Sequence, residues 1–205
     1  MSLKFARITC PRQAGSALLV SMVMLLIALV AGTSMAGIAF VQEKAARNQR
    51  DRIIALQSAE LALADAERDI ENSTAATSRS TIFSPNSSEG FSEQCGQGDS
   101  NIYQGLCIST VPTRSEIIRA LSSTGANSPS VPFGRFTGQT MPVGNGPLPC
   151  RLPRYVIELV KDNTPGQSTD TRYLYRITAV GYGAHSRTQV VLQSVYRKAA
   201  IERTN

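Results

Sequence analysis

The chain has 205 residues, of which 42% are apolar and 18% charged, with 21 basic against 15 acidic side chains for a net charge of +6. It contains one histidine and four cysteines, no CxxC pair, and none of the GxSxG, P-loop or HExxH signatures, so neither zinc binding nor the common hydrolase and nucleotide chemistries have the residues they need. One modest core can be buried, and no cofactor is called for.

Charge is distributed unevenly from the start. Met1 to Gly15 carries Lys4, Arg7 and Arg12 and no acidic residue, and ends in Gln13-Ala14-Gly15. From Ser16 to Gln42 no charged side chain appears; the next charges are Glu43 and Lys44. At about 1.5 Å per residue that run reaches roughly 40 Å, more than the roughly 30 Å of a hydrocarbon core. Three readings meet at this junction. A cleaved secretory signal would have a shorter apolar region followed by a small-x-small site. A signal anchor would keep the basic leader cytoplasmic. The third reading cuts after Gly15 and leaves the apolar helix on the mature protein.

Residues 43–71 continue without Pro or Gly and are dominated by Ala, Leu, Glu, Arg and Gln, the strong helix formers. Ile53, Leu56, Ala59, Leu63, Ala66 and Ile70 recur at spacings of three and four, which predicts an apolar stripe. Glu43 with Arg47 and Asp65 with Arg68 add helical ion pairs of a few tenths of a kcal/mol. One helix is therefore expected from Ser16 to about Glu71. Its first half (16–42) would span the membrane, and its amphipathic half (43–71) would pack on a sheet.

Beyond Glu71 the composition turns to Asn, Ser, Thr, Gly and Gln, the mark of a loop-rich region. Thr113-Arg-Ser-Glu116 before Ile-Ile-Arg-Ala-Leu is a capping box that predicts a short helix. Residues 125–150 are Gly/Pro-rich, and three strand candidates follow: Arg154–Lys161, Arg172–Tyr182 and Arg187–Lys198. Their short connections favour an antiparallel meander. The expected fold is α+β: a long N-terminal helix on a small antiparallel β-sheet head (72–205), loop-rich over 72–150 and a meander over 151–198.

The junction, the stretch Arg50-Asp51-Arg52…Ala55…Gln57-Ser58-Ala59-Glu60-Leu61-Ala62-Leu63, and the C-terminal Arg172–Gly183 and Thr188–Tyr196 segments resemble the PilX-type minor pilins of type IV pili. Residues 72–150 match nothing in that pattern. The resemblance implies a type IV pilin-like fold, cleavage of the 1–15 leader by prepilin peptidase between Gly15 and Ser16, and N-methylation of Ser16. It implies residence in the inner membrane with the head in the periplasm, then export in an extracellular filament beside other minor pilins and the major pilin. Pilins usually carry Glu as the fifth mature residue; here that position is Val20. A carboxylate in lipid is costly unless paired, so its loss suits a subunit at the filament tip, with no further subunit above it. The helix-breaking Pro of many major pilins is also missing, and Gly32 and Gly37 are the only weak points.

Cys10 lies in the leader, whereas Cys95, Cys107 and Cys150 would face an oxidising space. Cys95–Cys107 and Cys107–Cys150 are both open pairings. His185, beside Ser186 in a turn, is a base–nucleophile candidate on paper and a solvated turn residue by base rate. Asp162, Asn163 and Asp170 hold oxygen ligands but fit no EF-hand spacing. The segment after Glu71 carries 13 basic against 8 acidic residues. Arg172 with Arg176, and Arg187 with Arg197, share strand faces. A nucleic-acid stripe is one reading and a solvated sheet face the favoured one. The leading expectation is a non-enzymatic minor pilin that primes pilus assembly. The alternatives are a tip-exposed adhesin or DNA-binding pilin using residues 72–150, and a type II secretion pseudopilin of the K type, for which the chain is short.

Overall fold

The computed structural model describes residues 15–71, 73–108, 114–123, 125, 127–162 and 172–198, without the side chains of 34–39 and 114–116. The chain divides into two compact units, Met1–Asn48 and Gln49–Asn205. Helix α1 spans Ser16–Glu71, as its lack of proline and run of helix formers require.

The second unit is an α+β head. Its sheet comprises β1 (Leu106–Ile108), β2 (Val131–Pro132), β3 (Arg154–Lys161), β4 (Tyr173–Tyr182) and β5 (Gln189–Tyr196), in the order β1-β3-β4-β5 with β2 also on β3. A short helix, α2, covers Arg114–Ser122; Thr113 of the expected capping box lies outside the described residues. β3, β4 and β5 form the expected antiparallel meander, in register from Arg154↔Val180 to Lys161↔Tyr173 and from Tyr182↔Gln189 to Tyr175↔Tyr196. The sheet as a whole is mixed, because β1 adds parallel to β3. The chain between them, which includes α2 and β2, supplies the long connection that parallel pairing needs.

Alternation divides the meander into two faces. Tyr155, Ile157, Leu159, Tyr175, Ile177 and Ala179 share a core with Ala62, Ala66 and Ile70 of α1. Val156, Val180 and Tyr182 face the other way and meet Leu121 of α2. The buried stripe of α1 is Asp51, Ala55, Ser58, Ala59, Ala62, Asp65, Ala66, Asp69 and Ile70. This corrects the expected stripe: Ile53 and Leu56 are 43% and 37% exposed, while Ala59, Ala66 and Ile70 are fully buried. The cause is the close approach of helix and sheet. A Cβ on Gly181 would overlap the backbone of Ala55 and Ala59, and one on Gly183 would strike Asp51. Only small side chains fit beneath α1 there, so the larger aliphatics turn outward.

Candidate assembly sites

An 18-residue window of α1, Ser16–Thr33, is long and apolar enough to cross a membrane. Leu18, Leu19, Met22, Met24, Leu25, Ile27, Leu29 and Val30 are all more than half exposed. A helix apolar on every side is at home only in lipid or in a protein core. Ser16 is the first helical residue, and Gly15 precedes it with φ 69°. Val20 lies within this window, and no acidic residue occurs in the first turn. Gly32 has open space around it.

In the second unit three aspartates on the buried side of α1 pin three different loops. Asp51 accepts backbone N–H groups from Ala184 (2.5 Å) and His185 (3.3 Å) in the β4–β5 turn. Burial alone would raise its carboxyl pKa, but hydrogen bonds from the Thr188 hydroxyl and the His185 and Ala184 amides outweigh burial and hold it below the usual value. Asp65 accepts the Gly134 N–H at 2.8 Å and the Thr137 hydroxyl. There burial dominates and raises the pKa despite both donors. Asp69 takes a bidentate contact from Arg79 and the Tyr155 hydroxyl at 2.9 Å. Sequence reading did not find these pins. The signal was present: Asp51, Ala55, Ser58, Ala62, Asp65 and Asp69 alternate at spacings of four and three, the period of a single helical face.

Cys95 is joined to Cys107, twelve residues apart, and Cys150 is a free, part-buried thiol. The disulfide ties the preceding loop to β1, where Ser92 bridges Cys107 and its carbonyl accepts the Ile108 N–H. A cleft of about 510 Å³ opens beside it, lined by Glu93, Cys107, Ile117, Arg119, Val156 and Glu158 among others.

The four arginines of the expected basic stripe do not act alike. Arg176 is bonded to the fully buried Glu158 at 2.8 Å and Arg197 to Asp162 at 2.8 Å, whereas Arg172 and Arg187 are exposed. The bond to Glu158 raises the Arg176 pKa above its ordinary value. Asp162 thus has a cationic partner, and Asn163 and Asp170 lie outside the described residues. No group of metal-ligating side chains forms among the described residues. His185 sits exposed in its turn, with its backbone N–H on Asp51.

Residues 98–198, from the disulfide loop through β5, match the family described as type IV pilus assembly protein PilX, C-terminal part, which corrects the expectation that all of 72–150 falls outside that pattern. No curated protein and no solved structure gives a significant match to the chain. An apolar N-terminal helix ahead of a region that matches the PilX C-terminal part, on an α+β head, supports a PilX-type minor pilin of type IV pili.

Proposed function

We propose that the protein primes type IV pilus assembly and enters the filament at or near its tip. The observation that carries this reading is the Ser16–Thr33 apolar helix on the same chain as the PilX C-terminal match. Prepilin peptidase removes the basic leader after Gly15, Ser16 is N-methylated, and the net charge falls from +6 to +3 as Lys4, Arg7 and Arg12 leave 18 basic against 15 acidic residues. The helix holds the subunit in the inner membrane with its head in the periplasm. In the filament the same helix packs among those of the other minor pilins and the major pilin, where Gly32, Ala36 and Gly37 permit close approach. Val20 supports the tip position: a subunit with no neighbour above it meets no partner amine, and so has no use for a costly carboxylate at the fifth mature residue. Its role is structural, and no cofactor or catalytic step enters it.

The test is the N-terminal peptide, read by mass spectrometry in membranes and in sheared surface filaments. An N-methylated Ser16 terminus in both fractions is expected. An intact Met1 terminus confined to membranes would overturn the reading and leave a signal-anchored protein. Deletion of the gene should abolish piliation, with rescue by the native chain and none by a Gly15 variant that blocks cleavage. Normal piliation after deletion would remove the priming role.

A further inference from the structure

Three arginines gather where β2 meets the start of β3. The Phe133 N–H donates to the Pro153 carbonyl at 2.9 Å and Pro132 pairs with Arg154, which sets residues 133–135 beside 151–154. Arg154 is anchored by neutral groups: Nε donates to Ser130 Oγ at 2.7 Å, and Nη2 to Ser128 Oγ at 3.0 Å and to the Ser130 carbonyl. Arg135 and Arg151 lie against aromatic rings instead, with Cζ 5.3 Å from the Phe136 centroid and 3.8 Å from that of Tyr182. Stacking fixes a guanidinium plane and leaves its donor edge open. Among the described residues none of the three has an ion-pair partner, and the buried Nε atoms of Arg135 and Arg151 meet no acceptor. A buried donor left unmet is costly and calls for an acceptor. The three charges also act on one another. Burial is the main cause that lowers the Arg154 pKa, and the Arg151 and Arg135 charges add to it, against Tyr182 and Asp99.

The charge count indicates what fits. Asp99, exposed and bonded to Gln104 Nε2 at 3.4 Å, is the carboxylate that acts on Arg154. Three guanidinium charges against this one carboxylate leave a formal excess of two. A phosphate monoester or free phosphate matches that excess with about −1.5 to −2 charges, whereas a carboxylate or a phosphodiester brings only one. The donor forks of arginine also suit phosphate oxygens, two at a time. We propose that Arg135, Arg151 and Arg154 form a binding site for a phosphate dianion, free or carried as a monoester. Arg154 is the anchored member, and the stacked Arg135 and Arg151 supply the unmet donors. The site stands apart from the pilus reading, which survives if the site fails.

The test is calorimetric titration of the full-length chain in a nonionic detergent, at constant ionic strength and about pH 8, where phosphate is doubly charged. The probes are inorganic phosphate, methyl phosphate, dimethyl phosphate and acetate. The two dianions should bind saturably and about tenfold or more tightly than the two monoanions. Arg135→Gln and Arg151→Gln should each weaken phosphate by about tenfold, and Arg172→Gln, exposed at the far end of β4, should change it little. Neither Arg135 nor Arg151 is held by a hydrogen bond of its side chain among the described residues, so both variants should keep the native urea midpoint without phosphate. The comparison of dianions with monoanions on the native chain decides the matter even where a variant does not fold. Methyl phosphate binding as tightly as free phosphate would assign the site to an esterified ligand, and free phosphate alone to the inorganic ion. Equal affinity for monoanions, no saturable binding, or binding undiminished in folded Arg135→Gln and Arg151→Gln would overturn the proposal.

Discussion

Arg79 and Asp69 form an ion pair with both side chains fully enclosed, the guanidinium Nη2 lying 2.6 Å from Asp69 Oδ2. Taking two charges out of water costs several kcal/mol each, and the pair persists only where every donor and acceptor is met. Here they are. Arg79 Nε reaches both carboxylate oxygens, at 3.1 and 3.0 Å, and Nη1 donates to the carbonyls of Ile102 and Gln104 at 2.8 and 2.6 Å. Its plane lies over Phe136 at 3.7 Å from the ring centroid. One side chain thus joins α1, the loop after it and the disulfide loop.

Removing one partner leaves the other charge buried and unpaired. Arg79→Ala should therefore destabilise the head by about 3–5 kcal/mol, read as a fall in the urea midpoint. The double variant Arg79→Met, Asp69→Leu should lose less than the two single changes together, since it strands no charge. Equal, additive losses would show that the pair acts only through packing.

Gly181 offers a sharper steric test. The atoms a new methyl would meet are backbone atoms of α1, with Ala59 Cα at 2.8 Å, so no flexible side chain can swing aside. Gly181→Ala should cost about 1–3 kcal/mol through forced separation of helix and sheet. Gly32→Ala, with nothing within 4 Å, should leave unfolding of the head unchanged. Unfolding curves for both variants decide it; a silent Gly181→Ala would mean the helix is not held so close.

Legibility in the sequence followed the length and regularity of each element. α1 and the three long strands carry enough period to be read directly. β1 and β2 hold three and two residues, too few for any alternation to register, and β1 owes its place to a partner some fifty positions away. The stripe of α1 was misassigned for a specific reason. Hydropathy ranks Ile53 and Leu56 above Ala55 and Ala59 for burial, whereas the contact with Gly181 and Gly183 admits only these alanines and Asp51. The aspartate pins were equally hidden, since a charged residue in a helix reads as a solvent-facing one until its partner loops are known. Cysteine pairing needed distances that sequence does not contain.

The Cys95–Cys107 bond yields a prediction that separates the two pairings weighed above. It closes a loop of twelve positions, so replacing both cysteines with serine should lower stability by about 2–3 kcal/mol. Cys150→Ser should change little, because that thiol is free. Peptide mapping without reduction would report the linked pair directly. A large loss from Cys150→Ser together with a Cys107–Cys150 peptide would reverse the assignment.

Alkaline pH probes the core through its tyrosines. Burial pushes Tyr175 from 10.0 up to about 12, and Tyr155 well above its ordinary value. Burial also raises Tyr182, against the opposing pull of Arg151 and Arg154. Tyr196 is brought to about 12 chiefly by its hydrogen bond to Glu71. All four shifts have the same sign, so the folded chain holds these protons more tightly than the unfolded chain does. Stability is then fully present below about pH 10 and is lost as the pH rises from there through about 12, because only the unfolded chain ionises freely. Urea midpoints measured across that interval should fall steadily as the pH rises. Tyr175→Phe removes one titrating group together with its bond to the Ser84 carbonyl. It should lower stability at neutral pH and make the alkaline decline shallower. A decline of unchanged slope would place the proton linkage elsewhere than in this ring.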